Sequence, residues 1–273
     1  MTTTGAGTNT PKTPVSARYG DVDIAGVAAL FADPARGKIL MALNDGRSLP
    51  ASRLADEAGI SAQSASGHLK KLVDGGLLRV SATGRHRYYA LAGDAVGVAL
   101  EGLAAIGQPR EVTSLRQGTR AHALRRARTC YDHLAGYLGV AIAQGLLDTG
   151  AIERSDGATD NARREGDPLA AGTGDTTLYV LGPNAATVLP ALGVDIDALR
   201  TSTNSRPLIR ACVDWTEQRH HIAGRLGAAI ATACLSSEWV TRSPRDRSIT
   251  VTPAGRRHLE RVLAVPTELD RSA

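Results

Sequence analysis

Apolar positions near the start of the chain recur at helical spacing, then give way to strand-like segments. Ile24 to Phe31 has the spacing of a helix, and Asp33 and Pro34 are placed to cap and begin a second helix over Ala35 to Asn44. The Asn44-Asp45-Gly46 turn ends that helix. Leu54, Ala55 and Ala58 share one face of a short helix stopped by Gly59. Ser61 caps a longer helix carrying Ala65, Leu69 and Leu72, which breaks at Gly75-Gly76. Leu77 to Val80, a turn over Ser81 to His86, and Arg87 to Leu91 predict a strand, a glycine-containing turn and a strand. A further helix, about Asp94 to Ile106, is apolar on two sides, a pattern suited to packing against a second copy.

From about Arg120 the pattern repeats. His133 to Ala143 aligns with His221 to Ala231 at an offset of 88, with eight of eleven positions identical, and the offset still holds at Ile152 and Val240. Leu178 to Asn184 then matches Ile249 to Gly255 at an offset of 71. Each copy reads as helix, strand, loop, strand, helix, the outline of a winged helix. The extra residues of the first copy fall in a polar stretch, 153–175, expected to be a mobile loop. In both copies Gly136-x-x-Gly139 and Gly224-x-x-Gly227 place two glycines on one helix face, which predicts close helix-on-helix packing between the repeats.

Composition narrows the classes. With 273 residues the chain can bury one or two cores. Three scattered cysteines, Cys130, Cys212 and Cys234, make no disulfide framework and include no CxxC pair. The Thr-, Gly- and Pro-rich start, Met1 to Ser16, has no apolar core of a secretory signal and is expected to be disordered. No run approaches the ~20 apolar residues that span a bilayer, so no membrane partner is expected and the location expected is the cytoplasm. No Walker loop, GxSxG or HExxH motif occurs, which argues against an enzyme.

The net charge of +5 favours a polyanionic partner, and its placement matters more than its size. Between Ser61 and Tyr89 five cations (Lys70, Lys71, Arg79, Arg85, Arg87) face one acid, Asp74. The helix from Ser61 offers Ser61, Gln63, Ser64, Ser66, His68, Lys70 and Lys71 on its polar side, short donors and acceptors suited to base edges and phosphates in a major groove. The turn that follows projects Thr83, Arg85, His86 and Arg87 at a hairpin tip, as a wing over phosphates or the minor groove would.

These stretches together resemble the ArsR/SmtB family of bacterial repressors. The matching residues are Phe31 to Leu40, Leu54 to Ile60, Ser61 to Leu69, Leu72 to Leu77 and Gly84 to Leu91, in that order, within Val22 to Ile106. The resemblance implies a homodimer with paired recognition helices on a palindromic operator, released by an inducer. Gly67 departs from it, standing where the family usually has a larger polar residue. Metal sensing in the family uses cysteines on the helix before the recognition helix, or Asp and His on the last helix of the domain. Here Pro50 to Glu57 has no Cys or His, and Asp94 to Ile106 has no His, so both family sites are missing. The second half is similar to the long domain appended in some relatives, and Val251 to Arg256 resembles a wing-to-helix junction.

A site outside the family pattern has two readings. Arg128-Thr-Cys130-Tyr-Asp132-His133 and Arg210-Ala-Cys212-Val-Asp214, with His220 and His221 following, offer thiolates and imidazoles. The same cysteines also suit small buried residues at matched core positions. Asp214-Trp215-Thr216-Glu217 either lines a ligand pocket or starts a capped helix over a core indole. The basic run Arg242 to Arg247, with Arg256, Arg257 and His258, leaves room for extra DNA contacts.

The expected architecture is therefore mainly α with small β-hairpin wings (α+β). A disordered tail covers 1–18 and a winged helix-turn-helix 19–108. A duplicated winged-helix-like effector and dimerisation domain covers 109–273, with repeats at about 120–199 and 207–265. The expected partners are double-stranded operator DNA, a second copy, and an unknown small-molecule effector held by Cys130, Asp132, His133, Cys212, Asp214, Trp215 and His221. No metal and no cofactor is assigned. The alternative is a redox- or metal-responsive regulator using Cys130 and Cys212.

Overall fold

The computed structural model describes residues 21–108, 111–165, 167, 178–203 and 205–266. The expected tail therefore lies outside the described residues, as do 166 and 168–175 of the expected mobile loop. The N-terminal elements are α1 (Ile24–Ala32), α2 (Pro34–Ala42), β1 (Leu49–Pro50), α3 (Ala51–Ala58), α4 (Ala62–Asp74), β2 (Leu78–Thr83), β3 (His86–Leu91) and α5 (Asp94–Ile106). Asp33 caps α2 through the amides of Ala35 and Arg36, and Ser61 caps α4 through the amide of Ser64. Both caps satisfy amides that have no partner inside their helix. The three strands form a sheet of order β1-β3-β2, all antiparallel. Leu54, Leu69, Leu72, Leu78, Leu91, Val96 and Leu100 close one core beneath it.

After α6 (Leu115–Arg126) come β4 (Arg128–Cys130), β5 (His133–Ala135), α7 (Gly136–Asp148), β6 (Ile152–Arg154), β7 (Tyr179–Leu181), α8 (Ala185–Ala191) and α9 (Ile196–Thr201). The second copy follows as β8 (Arg210–Val213), β9 (His220–Ala223), α10 (Gly224–Ser236), β10 (Val240–Arg242), β11 (Ile249–Val251) and α11 (Pro253–Leu263). The mixed α+β character is as expected, but the structure corrects the repeat in three respects. Each copy opens with an antiparallel hairpin, β4–β5 or β8–β9, so His133 to Ala135 and His220 to Ala223 are strand and not helix. Ile152 pairs with Leu181 as Val240 pairs with Val251, so the later offset is 70 and not 71. Finally, the paired glycines serve strand-on-helix packing: a Cβ at Gly139 would stand 2.4 Å from the Leu134 carbonyl oxygen, and one at Gly227 2.2 Å from that of Ile222. Any side chain there would push helix and hairpin apart.

The helices cross over. α7 packs on β9 and α10 on β5, so each copy's helix covers the other copy's hairpin. One large core results, including Leu138, Leu146, Ile152, Leu189, Leu226 and Leu259. The described part of the 153–175 stretch is anchored, contrary to the mobile loop expected. Arg154 binds Asp156 at 2.6 Å, and the buried Asn161 amide donates to the carbonyls of Val140 and His220, both at 2.8 Å.

The α5 helix was expected to use its second side for a partner copy. Its Val96 and Leu100 join the N-terminal core, whereas Gly97 and Glu101 are buried beside residues of the C-terminal hairpins. Leu103 and Ile106 near its end remain exposed, and α1 buries no residue at all.

Candidate nucleic-acid interface and a buried thiol-imidazole cluster

Helix α4 buries Ala65, Leu69 and Leu72 and turns the opposite side outward. Gln63, Ser64, Ser66, Lys70 and Lys71 are exposed there. Gly67 lies on the same outward side, where an added Cβ would meet nothing within 4 Å. Several of the candidate side chains are engaged within the domain, among them Ser64, whose hydroxyl accepts from that of Ser61 at 3.0 Å. Ser61 serves as the cap, the Ser66 hydroxyl donates to the Ala62 carbonyl at 3.0 Å, and Lys70 pairs with Asp74 at 2.5 Å. His68 departs from the expected DNA face: it is half-buried, with Nδ1 3.6 Å from Asp33. The wing is a two-residue hairpin in which Thr83 faces His86 across a turn at Gly84-Arg85. Gly84 takes φ +59°, the left-handed region that such a turn requires. Thr83, Arg85, His86 and Arg87 are all exposed on it.

The second constellation is buried. Cys130 faces His133 across the first hairpin, and Cys212 faces His221 across the second. The crossed helices bring these hairpins together, so one ligand atom from each of the four residues lies within 4.8 Å of every other. The two histidine Nε2 atoms stand 3.1 Å apart, with rings stacked at 5.0 Å. The Cβ of His221 lies 3.4 Å from the point where a Cβ on Gly139 would sit, and that of His133 lies 3.2 Å from the corresponding point on Gly227, so each glycine makes room for the opposite copy's imidazole. Behind the rings, His133 Nδ1 meets Asp132 at 3.3 Å and His221 Nδ1 meets Asp214 at 3.5 Å.

One residue of the first domain enters this cluster. Glu101, 5% exposed, receives the Cys130 thiol on Oε1 and the Cys212 thiol on Oε2, both at 3.1 Å, and Arg210 at 2.9 Å. Burial pushes its carboxyl up to about 8, helped by Cys130 beside it. Burial opposes charge on His133, but Asp132, Cys130 and Glu101 outweigh it and raise the imidazole to about 10. Hydrogen bonding from Cys212 and the two histidines favours the thiolate of Cys130, while that same contact and burial hold the proton on Cys212. Burial alone would raise Asp132, yet hydrogen bonds from His133 and Arg206 hold it at about 2.

The remaining candidates have other tasks. Asp214 is fully buried and accepts from Arg128 (2.8 Å), the Gly136 amide (2.6 Å) and the Thr216 hydroxyl (2.6 Å). Against burial, Arg128 and His221 keep its carboxyl far below the usual range. Trp215 lies under the Arg128 guanidinium at 4.5 Å, so it stacks on that ion pair. His220 points away from the cluster to Tyr179, at 3.1 Å, because successive strand residues face opposite sides. A cleft of about 550 Å³ between α9 and α10, lined by Asp195, Leu199, Arg225 and Thr232, includes none of the seven ligand candidates.

Residues 31–81 match a family described as a helix-turn-helix domain, HTH_20. Over 243 residues the chain is 37% identical to the HTH-type transcriptional regulator YdfF of Bacillus subtilis (strain 168), an alignment covering 89% of this chain and 98% of that one. The chain belongs to the HTH-type transcriptional regulators. Among solved structures, NolR from Sinorhizobium fredii is 30% identical, covering 30% of this chain and 81% of that chain with a TM-score of 0.28. The cadmium metal-sensor CMTR from Mycobacterium tuberculosis is 29% identical, covering 34% of this chain and 100% of that chain, also with a TM-score of 0.28. Among the described residues no helix is long and apolar enough to cross a membrane.

In this regulator the two halves are tied tightly. Tyr131, at the tip of β4–β5 with φ +55°, packs against the N-terminal core. Its amide donates to the Asn44 carbonyl at 2.9 Å and its hydroxyl to Asp94 at 2.6 Å. Arg47 donates to the carbonyls of Ser243 and Asp246, Arg53 to that of Arg245, and Arg242 to that of Asp45. This corrects the reading of Arg242 to Arg247 as a DNA-holding run, since Arg247 is buried and the segment forms the domain interface. Sequence patterning missed Glu101 and Tyr131. The legible signal for Glu101 was an acid in mid-helix among Val96, Leu100 and Leu103.

Proposed function

We propose that this regulator is a homodimeric repressor that seats α4 in the major groove of a palindromic operator and lays the β2–β3 wing on the flanking backbone. The second half is then its sensor, and capture of an effector there lowers operator affinity without turning the effector over. The observation that carries this reading is Glu101: one buried carboxyl group on α5, a helix of the DNA-binding domain, contacts both cysteine sulfurs of the C-terminal cluster. An effector acts on DNA binding only if it favours one arrangement of the two halves. Glu101 and Tyr131 are where such a preference would be transmitted. The exposed Val22, Ile24, Val27, Leu103 and Ile106 supply apolar surface for a second copy. A DNA-binding regulator of this kind would work in the cytoplasm.

The test is fluorescence anisotropy with duplex DNA from the gene's own upstream region, at several salt concentrations and against scrambled DNA. Gln63→Ala should relax sequence preference, and Arg87→Ala should weaken both duplexes and lower the salt slope by about 1. Equal affinity for the two duplexes at every salt concentration would refute a sequence-specific operator.

A further inference from the structure

We propose that Cys130, His133, Cys212 and His221 form a metal site for one divalent ion of the zinc class, and that this ion is the effector of the second half. The proposal deepens the sensor reading above, and its regulatory part rests on that reading. Two sulfurs and two imidazole nitrogens are the donor set of tetrahedral zinc. With bonds of about 2.3 Å to sulfur and 2.0–2.1 Å to nitrogen, such a site spaces its ligand atoms roughly 3.3–3.8 Å apart. The four ligand atoms here already lie within 4.8 Å of one another, and all four residues are buried. Neither hairpin supplies more than two of them.

Three further observations separate this cluster from cysteines that merely pack in a core. The two Nε2 atoms face each other at 3.1 Å, so at most one hydrogen can lie between them and a shared cation suits both lone pairs. The other nitrogen of His133 hydrogen-bonds Asp132 at 3.3 Å, the arrangement that orients metal-bound imidazoles, and that of His221 lies 3.5 Å from Asp214. Cys234 supplies the contrast. It is equally buried and belongs to the apolar core, and it is not among the residues of the cluster.

Ligation forms two S–metal and two N–metal bonds and releases to solvent the protons those four atoms carry. No electron is transferred. With both sulfurs bound to the ion, their hydrogen bonds with Glu101 are replaced by metal bonds, and Arg210 at 2.9 Å remains against its carboxyl group. Loading therefore changes the contacts of α5 and reaches the DNA-binding domain.

The experiment uses the full chain, stripped with chelator under reducing conditions and titrated with cobalt(II). We expect one ion per chain, with the visible bands of tetrahedral cobalt and a near-ultraviolet thiolate charge-transfer band, both abolished by added zinc. Cys130→Ser and Cys212→Ser should each remove or shift the charge-transfer band. Because buried variants can misfold, Asp132→Asn on the half-exposed turn gives a second measure: unchanged bands, with affinity lower by about 10–100-fold. In the anisotropy assay, zinc should weaken operator binding by about tenfold in the wild type. Operator binding with no cobalt bands would overturn the site and leave the DNA-binding reading intact. Cobalt bands with no change in operator affinity would overturn the ion's role as effector.

Discussion

The two hairpins that meet at the cluster share the pattern Arg-x-Cys-x-Asp and differ in how their strands are joined. In the first copy only Tyr131 and Asp132 link Cys130 to His133, and the tight turn thrusts Tyr131 into the neighbouring domain. In the second, Asp214 to Arg219 link Val213 to His220, and that longer turn folds back so that Asp214 is buried against the first copy. The arginines diverge in the opposite sense. Arg128 pairs with Asp214 inside the C-terminal domain, whereas Arg210 pairs with Glu101 of the N-terminal one. Duplication thus supplies matched ligands, while the flanking residues divide the work: Arg128 and Asp214 hold the two copies together, and Tyr131 and Arg210 reach the DNA-binding domain.

The largest effect expected from breaking this asymmetry is at Asp214. Replacing it with Ala strands a buried Arg128, and unfolding in denaturant should show a loss of about 3–5 kcal/mol. Asp132→Ala, on the more exposed turn, should cost less, about 1–3 kcal/mol. Equal costs for the two aspartates would remove the distinction between the copies. On the DNA side, Gln63→Ala should cost about 1–3 kcal/mol on the operator and almost nothing on scrambled duplex, with the cobalt spectrum unchanged. A smaller change is expected for Tyr131→Phe, which deletes the hydrogen bond to Asp94 and should lower stability by about 1 kcal/mol. No loss there would mean that the hydroxyl contributes nothing to the latch. The smallest effect should come from Gly67→Ala, a gain of up to about 1 kcal/mol, since the new methyl meets open space on α4. Thermal unfolding resolves it, and a lower melting temperature would contradict a regular helix at Gly67.

The first domain was legible because its elements are local. Caps at Asp33 and Ser61, a helical stripe at Ala65, Leu69 and Leu72, and a Gly84 hairpin each declare themselves within a few residues. The outward-facing side of α4 could be read for the same reason, except at His68, whose turn toward Asp33 depends on how α4 packs beside α2. In the second half the repeat announced itself through identical residues, and with it the equivalence of Cys130 and Cys212. Its leading hairpins did not, because strands of three or four residues carry too little alternation to be told from the start of a helix.

What the chain determined by itself was therefore the DNA-binding element and the existence of two copies bearing the same polar residues. Tertiary structure alone decided that α7 and α10 exchange hairpins. That exchange brings residues 82 and 88 positions apart into contact and turns matched core cysteines into one four-ligand cluster. It also decided that Glu101 would be the residue facing both thiols. The physical reason is range. Caps, turns and amphipathic stripes depend on neighbours in sequence, whereas a shared buried site depends on which surfaces cover each other, and that follows only from packing the whole chain.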